Sequence, residues 1–475
     1  KKGINDKMLK YFVAMYLKRI SPEAGILLLR TAGQHYRQII YLTLFLFSTV
    51  LSNKGYSQES LSLDNAILKG LENNFQIRIA SQQYSISELN NNWGTVGRFP
   101  SVSLGVSSIN RYNNTPVFDT MSFDYERGDQ YTNSLTPYAN VQWLLFDGLS
   151  VSMNKRKLEL LEDYSMGYST IVVENTIQSI ILGYYLALLE EERLKVLESV
   201  KGLSGDRYNY EMMRKDLGSG VTFDVLQAKN SFLSDSTNYL LQQLRVKNAF
   251  LRLNLLLGET PEVRFVLADS FKVEMQYYVL DDLMNKMMAN NRTLMNQFVN
   301  QEILKKDVSI AKSDMWPTIA MNAGVDYTQG WYDWEKNQKN TYLFDYYANF
   351  TLSFNLFNGG NTRRAIERAQ ISEKIGEIEI QQASQTLQNL LVNQFELYRI
   401  RQQLLEVAEV NLESAELNMQ IATEKYRNGT INSFNFRDVQ LIFLNASSNR
   451  LNAVYDLIDS QVELLRLTGG IITQR

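Results

Sequence analysis

Cysteine is absent from the 475 residues, so disulfides, Cys-ligated zinc and thiol nucleophiles are excluded. Histidine occurs once, at His35, which removes multi-His metal sites and most catalytic triads. Proline is scarce, with 6 residues, and long helices need that scarcity because proline breaks the backbone ladder. No charge excess of either sign exists: the net charge is −3, which gives no global drive toward nucleic acid. A mean hydropathy of −0.25 excludes a polytopic helical membrane protein. It leaves open a β-barrel, whose strands are apolar on one face only. No Gly-rich phosphate loop, HExxH or nucleophile elbow is found, so neither catalytic residues, cofactor nor metal is expected.

What is present begins with an apolar run at 39–51, preceded by Arg37 and followed by Ser52, Gly55 and Ser57. It suits a signal-peptide core and is short for a spanning helix of roughly 20 residues. Cleavage is expected between 52 and 60, and 1–58 are set aside as leader; Met8 and Met15 are alternative starts. A short membrane anchor is the competing reading.

The rest of the chain repeats itself. At an offset of 217, Asn73-Asn74 meets Asn290-Asn291 and Pro100 meets Pro317. At an offset of 211, W-L-L-F-D-G (143–148) meets F-N-L-F-N-G (354–359), Gly218 meets Gly429 and Thr222 meets Ser433. The expected order is repeat 1 (59–258), a connecting segment (259–279) opened by Pro261, and repeat 2 (280–470). Each repeat reads helix, strand, loop, strand, long helical hairpin. The strands are placed at 99–110 and 137–147, then 317–328 and 343–358; the loops at 110–136 and 328–342; the hairpins at 149–258 and 360–469.

The strands alternate with period two. Val141, Trp143, Ile319, Met321, Phe350, Leu352 and Phe354 fall on the apolar face, and Thr351, Ser353 and Asn355 on the other. Strands of this length cross a bilayer when tilted. Four strands cannot close a barrel, and lipid tolerates no open edge, so a membrane reading requires several chains. A soluble hairpin packed on helices is the competing reading. The long segments 149–216 and 360–427 contain no proline and carry Ile177, Ile181, Tyr184, Leu188 and Leu397, Ile400, Leu404, Val407 at coiled-coil spacing. Their partner helix at 222–257 carries Leu240, Leu244, Leu251 and Leu255. Gly218 and Gly429 are expected to end helices, and Thr222 and Ser433 to cap the next. The Glu190–Glu192 run and Arg363-Arg364 read as solvated faces, the latter with lipid headgroups as the alternative.

Duplicated strand–loop–strand units, the F-x-G steps (Phe146–Gly148, Phe357–Gly359) and the tip K-Y-R-N-G-T-I-N-S (425–433) resemble the TolC-type outer-membrane efflux proteins over about 60–470. The resemblance implies a trimer with a 12-stranded barrel in the outer membrane, continued by a coiled-coil tunnel through the periplasm. It implies a passive exit duct for efflux or type I secretion, working with a periplasmic adaptor and an inner-membrane RND or ABC transporter. A periplasmic coiled-coil scaffold without a pore is the alternative. The family's tunnel-closing positions fall on Asp224, Asn435, Asp438 and Tyr426, while Ile431 stands where its Arg is expected. Adaptor docking would fall on the tips: Lys215, Gly218, Ser219 and Thr222, with Lys425, Gly429, Thr430 and Ser433.

Overall fold

The computed structural model describes the backbone of residues 59–119, 124–334 and 337–471, and the expected leader lies outside them. In chain order, β1 (Glu59–Leu61) is followed by α1 (Leu63–Asn73) and α2 (Phe75–Asn90). The hairpin β2 (Ser101–Asp119) and β3 (Asp124–Asp147) leads into α3 (Ser150–Asp216) and α4 (Thr222–Leu257). After β4 (Phe265–Leu267), the order recurs as α5 (Leu280–Asn290), α6 (Arg292–Ser313), β5 (Thr318–Trp334), β6 (Asn337–Ser353), α7 (Asn361–Arg427) and α8 (Ser433–Leu467). Both long helices have 67 residues, roughly 100 Å at 1.5 Å per residue.

Equivalent side chains make equivalent turns. Asn74 ends α1 and caps α2, accepting from the amides of Gln76 and Ile77, and its amide side chain donates to Leu256 O at 2.8 Å. Asn291 accepts from Leu294 N at 3.0 Å and donates to Leu467 O at 3.0 Å. Each asparagine therefore bends one helix into the next and ties the bend to the end of a hairpin. The main apolar core gathers at this level: Tyr184, Ile180, Leu253, Leu257, Met287, Leu391, Leu457 and Leu467 are buried there. Beside it β1 pairs with β4, and Asp269 accepts from both Leu63 N and Tyr184 Oη at 2.7 Å.

The larger sheet is antiparallel, ordered β2-β3-β5-β6. Its strands exceed the expected ones. The tracts 110–136 and 328–342, expected as loops, are mostly strand, and β2–β3 pairing runs unbroken from Ser101–Gln142 to Asp119–Asp124. Tyr and Thr suit strands, and the polar residues between them are tolerated where both faces meet water. At the other end β6 stops at Ser353, not 358, so Phe354 lies outside it. Ser353 pairs with Thr318, the first residue after Pro317, and proline has no amide to extend the ladder.

The strand-to-helix steps use left-handed backbone. Gly359 and Gly360 have φ of 66° and 77°; their counterparts Gly148 and Leu149 have 69° and 72°. Leu149 is the non-glycine residue with positive φ among the described residues.

In the helical region α3 packs on α4, α7 on α8, and α8 on α3. The lateral order is therefore α4-α3-α8-α7. The interior seam of α7 keeps a strict heptad through Leu391, Tyr398, Leu405, Met419 and Tyr426, all buried. On α4, Ala228, Asp235, Gln242 and Ala249 recur every seventh residue and are buried. The stripes expected from sequence divide. Ile177, Tyr184 and Leu188 are buried inside the chain, whereas Ile400, Leu404 and Val407 on α7, and Leu240, Leu244 and Leu255 on α4, are exposed.

Candidate functional site

The large sheet has two chemically distinct faces. Residues directly opposite in an antiparallel ladder share a face. The row Val102–Val141–Ala323–Ala348 runs across all four strands, with Trp143–Met321–Phe350 and Ile319–Leu352 beside it. Past this band the same face carries Tyr327 opposite Phe344, then Tyr346 and Tyr342. The other face carries Ser101–Gln142–Asn322–Asn349 and Asp326 opposite Asp345, and Thr136 bonds Thr328 at 3.0 Å. The apolar face is uncovered: Val102, Leu104, Phe350 and Leu352 are about 70–80% exposed. Of the sequence-derived apolar set, Val141, Trp143, Ile319, Met321, Phe350 and Leu352 lie on this face, and Phe354 follows β6 in the same alternation. From Ile319 to Tyr327 is roughly 26 Å along the strand, or about 20 Å at a 40° tilt.

The ends of the two helical hairpins are alike. Gly218 N donates to Lys215 O and Ser219 N to Arg214 O; Gly429 N donates to Tyr426 O and Thr430 N to Lys425 O. Those bonds, with φ of 75° and 72° at the glycines, form the Schellman ending. The expected caps differ. Thr222 is the first residue of α4 behind Val221, which gives no side-chain bond, and Asn432, not Ser433, caps α8 by accepting from Asn435 N at 2.8 Å. Because α8 starts at Ser433, Asn432 holds the extended N-cap position, three residues before the amide it accepts from. Lys215, Gly218, Ser219, Thr222, Lys425, Gly429 and Thr430 are exposed, together with Leu217, Phe223 and Phe434. Ser433 is buried, and its carbonyl accepts from Arg207 at 3.2 Å, so this tip position faces inward.

Tyr426 is buried rather than lining an opening. It stacks on Phe436 at 4.6 Å and meets Tyr210 edge-on at 5.2 Å. Its hydroxyl donates to Glu211 Oε1 at 2.6 Å, and Glu211 is fully buried. Burial, then the Glu211 carboxylate, pushes the Tyr426 hydroxyl far above the ordinary phenol range. Asn435 and Asp438 are exposed on α8, and Asp224 is half-buried in the first turn of α4. These residues do not converge with Tyr426 within one chain.

What does converge is a buried ionic cluster that sequence reading missed. Arg437 donates to Asp235 Oδ2 and Oδ1 at 2.5 and 2.8 Å, and Ser204 donates to the same carboxylate at 2.6 Å. Gln440 donates to Val200 O at 2.9 Å. Arg207 is 2% exposed, and burial, then the neighbouring Arg437, lowers its affinity for its proton. The cluster ties α3 and α4 to α8, one hairpin to the other. The repeat held a signal for it: at an offset of 211, Asp235 meets Ala446 and Glu211 meets Ala422. Both members of each pair are buried, and a buried carboxylate needs a partner.

Residues 283–470 match the family described as Outer membrane efflux protein. The Outer membrane protein TolC of Vibrio cholerae serotype O1 is 21% identical over 301 residues, 62% of this chain and 67% of that one. Among solved structures, the outer-membrane channel OprN superposes with a TM-score of 0.67 at 18% identity, covering 86% of this chain and 90% of its own. The CmeC outer membrane channel of Campylobacter jejuni has a TM-score of 0.67 at 14% identity, covering 88% and 87%. The chain thus has the fold of these outer-membrane channels.

Proposed function

We propose that the chain is an outer membrane efflux protein and serves as the outer-membrane exit duct of a tripartite efflux or type I secretion system. It resides in the outer membrane and extends into the periplasm; it is not an enzyme. The observation that carries the finer reading is the sheet with one bare apolar face and two edges, β2 and β6, that are unpaired among the described residues. In lipid such edges must be paired, and a second copy offers the missing strand. The helices support the same closure. The free flanks of the order α4-α3-α8-α7 are α4 and α7, and both carry exposed heptad stripes: Leu226, Leu233 and Leu240 on one, Ile400, Leu404 and Val407 on the other. A head-to-tail contact of α4 on one copy with α7 on the next closes a ring. Three copies give a 12-stranded barrel above a helical tunnel.

Transport through this duct is passive, and the inner-membrane transporter selects the cargo. The exposed tips, with Leu217, Phe223 and Phe434 around Lys215 and Lys425, form the docking end for a periplasmic adaptor. In the assembled ring Asp224, Asn435 and Asp438 are the narrowing residues, while Tyr426 acts from within by fixing the tip of α8. The test is electrophoresis with and without heating, joined to planar-bilayer recording. A heat-sensitive trimer with steady conductance is expected, and Leu240→Glu should yield monomers. Stable insertion of a monomer, or a trimer that never conducts, would refute the duct.

A further inference from the structure

At the helix-side border of the apolar band, the turn 91–100 holds a basic and aromatic cluster. The turn closes by Arg98 N donating to Trp93 O at 3.1 Å, with Thr95 N donating to Asn92 Oδ1 at 2.9 Å. That closure folds the Arg98 guanidinium over the Trp93 ring, 4.3 Å from its centroid. Lys155 approaches the same ring at 5.7 Å, held by Asn91 Oδ1 and Glu159 at 2.7 Å. Trp143, a member of the apolar face, donates its indole N–H to Arg98 O at 3.0 Å. The cluster is thus pinned to the border of that face: Phe99 and Val102, just past Arg98, are 63% and 70% exposed. Arg98 is exposed and makes no ion pair among the described residues. Its counterpart at an offset of 217 is Met315, and that of Trp93 is Ile310, so the second half has no such cluster.

We infer that Trp93, Arg98 and Lys155 form a docking site for the phosphate of an anionic phospholipid in the leaflet next to the helices. The inference rests on the barrel reading above. Aromatic rings with one wet end settle at the headgroup level. A guanidinium held over a ring keeps N–H groups free for phosphate oxygens, and that contact has already restricted its rotamer freedom. The charge is positive where the headgroup is negative, and the neighbouring Phe99 and Val102 offer the acyl chains an apolar surface. Each chain supplies one such site, because only the first half carries the cluster.

The test uses the full protein in bilayer nanodiscs of zwitterionic lipid doped with brominated phosphatidylglycerol or, in parallel, brominated phosphatidylcholine. Quenching of Trp93 is isolated by difference with Trp93→Phe, and that of Trp143 by difference with Trp143→Phe. Trp93 should prefer phosphatidylglycerol by about five-fold, the enrichment one cation gives near an anionic headgroup. Arg98→Gln should level the two lipids while keeping the backbone carbonyl that holds Trp143. Equal quenching of Trp93 by both lipids, or a preference unchanged in Arg98→Gln, overturns the site. Loss of the preference on adding inorganic phosphate assigns the site to free phosphate and also overturns it. If neither lipid quenches Trp143, the apolar face is not in the bilayer, and the barrel reading fails together with this inference.

Discussion

Arg437 on α8 holds Asp235 on α4 through two hydrogen bonds, and Asp235 is 1% exposed. The pair joins the two helical hairpins near their ends, so its strength sets how firmly the hairpins move as one. Removing one partner of a buried pair strands a charge, at a cost of about 3–5 kcal/mol. Arg437→Met leaves Asp235 without its cation, deep in the packing. Asp235→Leu leaves an arginine with a long side chain that reaches water, and should cost less. The double variant should recover most of the loss, because two apolar side chains pack where the ions were. Hydrogen exchange at the hairpin ends, with thermal unfolding, reads all three. Equal losses in the two single variants, undiminished in the double, would show that the residues act separately.

Burial also leaves a signature in alkali. Tyr426 and Tyr184 have hydroxyls pushed far above the ordinary value of 10.0, with burial the leading cause and carboxylates Glu211 and Asp269 next. Tyr398 and Tyr278 shift the same way, again through burial. Below the unfolded pKa both states hold the proton, so their contribution is fully present at neutral pH. Above it the unfolded chain releases protons that the folded one keeps, and stability falls as pH rises toward the folded pKa. Each such tyrosine adds about 1.4 kcal/mol per pH unit to the slope. Denaturant midpoints above about pH 10 should therefore drop steeply, and Tyr426→Phe should flatten the drop. A slope unaffected by Tyr426→Phe would mean that its hydroxyl ionises freely.

The two strand-to-helix steps predict unequal glycine variants. A Cβ on Gly148 would collide with the Ser313 carbonyl oxygen and lie 2.7 Å from Trp316 Cβ. A Cβ on Gly359 meets nothing within 4 Å. Both positions have positive φ, so each alanine carries about 1–2 kcal/mol of backbone strain. Only Gly148→Ala adds a collision with backbone, and its melting temperature should fall well below that of Gly359→Ala. Leu149→Gly removes strain but frees the unfolded chain, and the melting temperature should hold or rise slightly. A marked fall in Leu149→Gly would mean that its side chain packs against a neighbouring copy.

Much of this fold was legible because the chain states it twice. The paired asparagines, the tip glycines and the F-x-G steps recur at fixed offsets, and each meets the same backbone requirement in both halves. Strand length was not legible. Tracts such as Tyr112–Asn114 and Gln130–Asn133 read as loop by composition, yet they form ladder because a hairpin with water on both faces needs no apolar face. The Tyr426–Glu211 contact was hidden for a different reason. Reasoning by position after the tip glycine led to Asp224 and past Ile431, whereas the partner sits seven residues before Gly218, on the preceding helix. The α4 and α7 stripes were visible as coiled-coil spacing, but spacing alone does not say whether a stripe faces its own chain or another.

The faces of the sheet give the sharpest test of the membrane assignment. Ala348 stands in the apolar row Val102–Val141–Ala323–Ala348, about midway between the Ile319–Leu352 pair and the Tyr327–Phe344 pair. Its neighbour Asn349 points to the opposite face, in the row of Gln142 and Asn322. Both positions are exposed in the single chain, so a protein that keeps its sheet in water should accept arginine at either. In a bilayer the two differ. Arginine at Ala348 is held near the midplane of the hydrocarbon and should cost about 2–4 kcal/mol, while arginine at Asn349 enters a wetted lumen and should cost little. Refolding into lipid vesicles, followed by tryptophan fluorescence over a denaturant series, measures both. Arginine at Asn349 should also add positive charge to the pore and shift ion preference toward anions. Similar small costs at the two sites would place the apolar face against something other than lipid and remove the barrel from the account.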